Sequence, residues 1–325
     1  MLSNVIPLFL GVWTIYSATK YRSLFALSIT TGLKNGAIYA LIAFGFGLIY
    51  HTTQNLDLAH GDVFMLGTVS TAVILINHLK ADSNTPRNWF LLSLTLILVA
   101  GIGAILSAST DLIVFRRLRK ANRIAPLIAS LGVSLILQDI GIKANGSGPK
   151  RFHSIIPEAP PYVSMSSGLV HAAIILSVAI PSLAMCSYLA TRSHNGLAIQ
   201  AVAYDYETSQ LMGINVNRTI TRTFVIAGVA AGIAGVIYAQ EFRVSTYALG
   251  MHVGLLAYAG AIIGGVNRIL GTVLGGFLIG LIEALSAGVP SGLGGRWSET
   301  AIYSVFIMML VYRPHGLFGY KDINE

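Results

Sequence analysis

Apolar and polar positions alternate in long blocks along this chain. Apolar runs fall at about 3–19, 32–50, 63–79, 91–112, 124–144, 168–190, 223–240, 251–266, 270–287 and 298–312. A helix needs roughly 20 apolar residues to cross a bilayer, and runs of about that length follow one another with no soluble domain between them. The pattern predicts an all-α integral membrane protein, a polytopic helical bundle of 8–10 spans forming a single transmembrane domain over 1–325. The runs at 63–79 and 251–266 barely reach spanning length. They are expected to be re-entrant or halves of broken helices.

The longest polar interruption, 192–222, reads RSHNGLAIQAVAYDYETSQLMGINVNR followed by TITR. Ile199, Val202, Ala203 and Tyr206 recur at i, i+3, i+4 and i+7, which predicts one short helix with an apolar stripe and with Gln200, Glu207 and Thr208 facing away. Gly213 then closes the helix, because glycine accepts the left-handed backbone of a helix end. Such a helix presses on a partner, or it is a solvated connector on the membrane surface.

A second interruption, QNLDLAHGDVFMLG (54–67), puts Asn55, Asp57, His60 and Asp62 between two apolar runs. An ionised side chain at a helix centre costs about 3 kcal/mol, so such groups face a cavity or a partner. Gly61 permits a helix break there, and a broken helix exposes backbone groups that bind a polar solute. The alternative is a polar hairpin at the membrane surface. A comparable break in AIIGGVNRILG sets Gly264, Gly265, Asn267 and Arg268 between runs, and Glu283 is a further acid inside an apolar run. Together Asn55, Asp57, His60, Gly61, Asp62, Gly264, Gly265, Asn267 and Glu283 form the candidate translocation path. Glu283 also suits a hydrogen bond to a neighbouring helix.

Composition sharpens this picture. Of 325 residues 54% are hydrophobic and only 10% charged, against roughly 25% charged in a soluble domain. The glycine pairs 32/36, 228/232, 260/264, 271/275 and 276/280 each set two small residues on one helix face, as close helix packing in lipid requires. The net charge of +8 comes without a basic, aromatic-interleaved surface, so nucleic acid is not an expected partner and the lipid bilayer is. Arg116, Arg117, Arg119, Lys120 and Arg123 form one positive cluster, and Arg192, Arg218 and Arg222 another. Positive loops stay in the cytoplasm, and two runs separate the clusters, so both fall on the same side. The loop 145–167, with Pro149, Pro157, Pro160 and Pro161, then faces outward, while Lys20, Arg22 and Lys34 run against the rule. The opening residues lack the basic start of a secretory leader and are expected to form a first span.

No phosphate loop, H-E-x-x-H or G-x-S-x-G motif occurs, and the single Cys186 excludes a disulfide within the chain or a cysteine metal cluster. Asp57, His60 and Asp62 alone are too few ligands to predict a metal site.

The blocks GLKNGAIYALIAFGFGLIYHTTQNLDLAHGDVFMLG (32–67), APLIASLGVSLILQD (125–139), GLAIQAVAYDYETSQLMGINVNRTITRTFVIAGVAAGIAGVIYA (196–239) and LAYAGAIIGGVNRILGTVLGGFLIGLIEALSAG (256–288) resemble the permease subunits of branched-chain amino acid ABC importers. The resemblance implies a non-catalytic subunit of the bacterial cytoplasmic (inner) membrane. It implies pairing with a second, homologous permease, an exterior solute-binding protein, and two cytoplasmic ATPase subunits that hold ATP and Mg, with no cofactor in this chain. Residues 196–213 then match the coupling loop, giving Gly196, Tyr204, Asp205, Glu207, Leu211 and Gly213 as candidate ATPase contacts. Two departures stand out: Tyr204-Asp205 where the family commonly has Glu-Asp, and Asp57 where it commonly has Asn. The implied solutes are branched-chain or other neutral amino acids, with urea and short amides as the rival within the family. From another class, a self-sufficient secondary transporter or channel would use Asp57, His60, Asp62 and Glu283 to carry protons or ions.

Overall fold

In the computed structural model the described residues are 22–78, 89–119, 121–122, 124–152, 164–288, 297–313 and 316–319. The predicted first run at 3–19, Lys20, Lys120, Arg123 and Pro157, Pro160 and Pro161 lie outside them. Every apolar run from residue 32 onward is helical. The helices are α1 (Arg22–Thr53), α2 (His60–Val73), α3 (Trp89–Thr110), α4 (Ile124–Asn145) and α5 (Ser164–Thr191). They continue as α6 (His194–Tyr204), α7 (Tyr206–Leu211), α8 (Val216–Phe242), α9 (Leu249–Gly264), α10 (Ile269–Gly288) and α11 (Ser298–Tyr312). A π-helical turn, Asp111–Phe115, prolongs α3.

Among the described residues six helices, α1, α3, α4, α5, α8 and α10, are long and apolar enough to cross a membrane. The remaining apolar helices, α2, α9 and α11, are shorter, which accounts for the excess of apolar runs over full-length spans. The two runs singled out as short are α2 and α9.

Helices α1 and α8 form the interior, while α3, α4 and α5 leave most of their surface uncovered. The exposed Ile128, Leu135 and Ile136 of α4 cost nothing in lipid, where tails are as apolar as leucine. What holds helices together there is close contact, and each predicted glycine pair lies at a helix crossing. Gly228 and Gly232 of α8 meet Gly103 and Val99 of α3, and Gly260 and Gly264 of α9 meet Gly275 and Gly271 of α10. Gly276 and Gly280 of α10 lie against Ala40 and Gly36 of α1. This register makes α1 and α10 antiparallel, with backbone on backbone.

The two positive clusters share one end of the bundle, since Arg119 donates to Asn217 at the start of α8. Positive loops stay in the cytoplasm, the side expected for that end. The other end carries a two-residue antiparallel clip, β1 (Lys150–Arg151) with β2 (Val244–Ser245), pairing Lys150 with Ser245 and Arg151 with Val244. Asn145 donates to the Ser245 carbonyl at 3.2 Å and fixes α4 to it. Lys34, which ran against the charge rule, lies towards this end and is neutralised: it pairs with Glu241, whose other carboxylate oxygen stands 2.8 Å from the His171 ring. A paired, half-buried lysine carries no orienting charge.

A valine at Gly280 would press on the Gly36 backbone, which cannot yield, whereas a side chain at Gly101 meets nothing within 4 Å. Gly280→Val is expected to destabilise the protein by about 3 kcal/mol through overpacking, and Gly101→Val by little. Thermal unfolding of the two purified variants checks this, and equal unfolding temperatures would contradict the crossing.

Candidate functional site

The segment 54–59 leaves α1 in a turn and re-enters the bundle. Gln54 takes a positive φ of 53°, and α2 begins at His60, whose ring packs edge-on against Phe46 at 4.9 Å and lies against Gly45. Gly45 is eight residues before the end of α1 at Thr53, so α2 starts about 12 Å inside that end at 1.5 Å per residue. It is a helix that begins within the bundle, as the break at Gly61 predicted. The break itself falls just earlier. Asp57 makes it: its carboxylate accepts from the Ala59 N–H at 3.1 Å and its carbonyl from the His60 N–H at 3.3 Å.

Asp62 lies one turn into the chain's return, 1% exposed. Its carboxylate accepts hydrogen bonds from Ser134 and, at 3.3 Å, from Gln138 of α4. Across from it stands α9. Gly61 meets the Gly250 carbonyl and Gly254, and a side chain at Gly250 would collide with the Asp62 carboxylate. Bare glycine at 250 therefore lets α9 close on the Asp62 carboxylate, which stays buried at the edge of a cleft of about 50 Å³, lined also by Phe46, Leu131, Ser134, Met251, Leu255 and Tyr258.

The nine candidate path residues thus separate. Asp62 lines the cleft, and Gly61 makes the crossing beneath it. His60, 0% exposed, faces α1, and the buried Asp57 is spent on the turn, with Asn55 half-buried in the same loop. Gly264, Gly265 and Asn267 form the tight link between α9 and α10, where Gly265 has φ 104° and the Leu317 and Phe318 N–H groups close on the Ile263 and Gly264 carbonyls. Asn267 is exposed there. Glu283 is elsewhere: it accepts from Tyr39 at 2.8 Å and Asn35 at 3.3 Å of α1, beside a separate cleft lined by Leu24, Leu27 and Thr31. It is thus a helix-to-helix acceptor that also lines that cleft. Among the described residues no three His, Cys, Asp or Glu side chains come together.

At the end that carries the arginine clusters, the stretch predicted as one helix is two. Asp205 leaves helical geometry (φ −152°, ψ 110°), ends α6 and caps α7, its carboxylate accepting from the Glu207 N–H at 2.9 Å and the Thr208 N–H at 3.0 Å. The Thr208 hydroxyl, followed by these N–H donors, holds the Asp205 carboxyl below the usual carboxylate range. A competing helix cap overrides the stripe. Ile199 and Val202 are buried as predicted, but Tyr206 is exposed and the inner face of α7 is Ser209.

Gly213 closes α7 with φ 84°. Its N–H bonds the Gln210 carbonyl at 3.1 Å, and the Ile214 N–H bonds the Ser209 carbonyl at 3.1 Å, a Schellman closure. Gly196 lets α6 turn tightly against the Leu189 and Ala190 backbone at the end of α5, where a side chain would come within 2.8 Å. The result is a helical hairpin seated on Ile49, Phe115, Val216, Ile220 and Phe224. Its tip offers Tyr204, Leu211 and Met212, which are 96%, 86% and 79% exposed, with Glu207 beside them.

Ser134, Gln138 and Gly250 went unnoticed in the sequence, although a polar pair at i and i+4 inside the apolar run 124–144 was a readable signal. Asp111 was missed too. Fully buried in the π turn, it accepts from Arg119 at 2.5 Å and from the Thr221 hydroxyl at 2.6 Å, tying α3 to α8 beside the hairpin.

A bundle of spanning helices packed through glycine, with a helix broken inside it and a capped hairpin at the positive end, has the architecture of a multi-pass transport permease. Sequence comparison narrows the class. Residues 28–312 match the family described as branched-chain amino acid transport system permease component, and the chain belongs to that family. It is 29% identical over 303 residues to the high-affinity branched-chain amino acid transport system permease protein BraD of Pseudomonas aeruginosa, covering 91% of this chain and 96% of that protein. Identity to the corresponding Escherichia coli protein LivH is 27% over 307 residues, covering 93% and 97%. The galactose/methyl galactoside import permease protein MglC of Escherichia coli is 26% identical over 286 residues, covering 83% and 80%. The chain is an ABC-transporter permease of the cytoplasmic membrane.

Removing one partner of a buried ion pair leaves the other charge stranded. Asp111→Asn is therefore expected to cost about 3 kcal/mol, visible as a lowered unfolding temperature, and Asp111→Asn with Arg119→Met to recover part of it. An unchanged unfolding temperature in the single variant would contradict the pair.

Proposed function

We propose that this chain is the permease subunit of an ATP-driven importer that moves branched-chain or other neutral amino acids by alternating access. In this reading it pairs with a second permease, receives solute from an exterior binding protein, and is driven by two cytoplasmic ATPase subunits that bind and hydrolyse ATP. Family membership and the BraD and LivH relatives support the solute class.

The observation that carries the reading is the hairpin of α6 and α7. Leu211, Met212 and Tyr204 stand almost free at its tip, next to capped and therefore rigid backbone. Exposed apolar side chains on a stiff support at a cytoplasmic end fit a groove on a soluble partner. Closure of the ATPase pair pulls the hairpin. The motion passes through its seat on Ile49 and Phe224 into α1 and α8, and through Asp111 and Arg119 into α3. Helices α2 and α9, which cross at Gly61 and Gly254 next to the cleft, then change their packing and turn the cleft from one side to the other.

Gly213 isolates the test. Nothing lies within 4 Å of a side chain placed there, so only its φ of 84° resists substitution. Gly213→Val is expected to disfavour the closure by about 2 kcal/mol and to uncouple ATP hydrolysis from uptake in the reconstituted transporter. Gly213→Asn, which tolerates the left-handed region, is expected to retain coupling. Normal uptake per ATP with valine would remove the hairpin from the coupling route, and uptake by the permease without ATPase subunits would overturn the ATP-driven reading.

A further inference from the structure

Among the described residues, the buried charges outside this cleft have been given partners. Lys34 has Glu241, Arg119 has Asp111, and Glu283 has the hydroxyl of Tyr39 and the amide of Asn35. Asp62, like Glu283, is held only by neutral donors on one neighbouring helix, Ser134 and Gln138 of α4, and on its other side Gly250 lets the α9 backbone close directly on its carboxylate. No lysine or arginine lines the cleft that it borders. A carboxylate in such a place is under-compensated, because two neutral hydrogen bonds do not replace a counter-charge at low dielectric.

The walls add a second constraint. Apart from Asp62 and Ser134 they are apolar or aromatic: Phe46, Leu131, Met251, Leu255 and the ring of Tyr258. The cleft of about 50 Å³ admits a few water-sized groups, the head of a solute and not its whole body. One anionic anchor beneath apolar walls selects a molecule with a cationic head and an aliphatic neighbour.

We propose that Asp62, oriented by Ser134 and Gln138, is a solute-binding residue that receives the ammonium group of a primary amine, and that this site separates amino acids from urea and short amides. The ammonium supplies the missing charge and three donors, whereas a neutral amide supplies donors only and leaves the carboxylate uncompensated. Gly250 supports the site, since any side chain there would collide with the Asp62 carboxylate itself. The assignment deepens the amino-acid reading above and rests on it.

The test is competition on the purified permease–ATPase complex in detergent, free of the exterior binding protein, with radiolabelled leucine as probe. Isoamylamine, which keeps the ammonium and loses the carboxylate, is expected to compete. 4-Methylpentanoate, which keeps the carboxylate and loses the ammonium, is expected not to, and neither are urea and acetamide. Asp62→Asn should weaken leucine binding by about tenfold or more, the loss of one charged hydrogen-bond partner, while Asp62→Glu retains most of it. Competition by 4-methylpentanoate equal to that by isoamylamine would overturn the proposal, and this comparison needs no variant, so it stands even where Asp62→Asn fails to assemble. Undiminished leucine binding in a folded Asp62→Asn would overturn it as well. The two readings fail separately. A complete wild-type transporter that moves urea and no amino acid overturns the substrate reading, whereas one that moves leucine equally well with Asp62→Asn overturns only the role of Asp62.

Discussion

The backbone contact between α1 and α10 is the constraint on which the other elements depend. Lipid gives helices no hydrophobic reason to associate, so they stay together only where they fit closely. Gly276 against Ala40 and Gly280 against Gly36 bring two main chains together without side chains between them. This contact fixes the start of α10, and with it the tight Gly265 turn, the end of α9 and the terminal segment that closes on the Ile263 and Gly264 carbonyls. It also holds α1 as the wall against which the broken helix rests, with His60 under Gly45. A helix that begins inside the bundle is stable only because a continuous one stands beside it.

Charge divides the molecule by function. Asp111, paired with Arg119 on its own helix and bonded by Thr221 of α8, and the group of Lys34, Glu241 and His171 stand towards opposite ends and bind helix to helix. Such pairs are expensive to break and so transmit displacement as rigid links. Asp62 is held by neutral donors and borders a cleft, and its proposed role in binding rests on that difference. The proposed coupling route runs from the hairpin, past Asp111 and Thr221, towards the broken helix.

Much of this was legible in the sequence because the bilayer makes few demands and they are strict. Run length located the spans, and the small-residue pairs located the crossings. The side of the two arginine clusters followed from counting runs, and Arg119 on Asn217 brings them together. Periodicity failed where a local hydrogen bond competed with it: Asp205 satisfies two N–H groups by leaving the helix, so the stripe from Ile199 to Tyr206 breaks. Partners distant in sequence stayed hidden. Asp111 looked like the edge of an apolar run until Arg119 and Thr221 were placed beside it, and Glu283 joined Asn35 and Tyr39 instead of Asp57 and Asp62. Composition identifies a buried charge, but only the fold decides whether it meets a partner or a cavity.

The claim that the α6–α7 hairpin is the seat of an ATPase is tested most directly by cross-linking. Cys186, the one native cysteine, is buried, so a single cysteine introduced at Leu211 or Met212 reports on the hairpin tip alone. In membranes holding the complete transporter, these positions are predicted to cross-link to the ATPase subunit, while a cysteine at Leu135 on the lipid-facing side of α4 does not. Intact ATP-dependent uptake with no cross-link at either tip position would contradict the account.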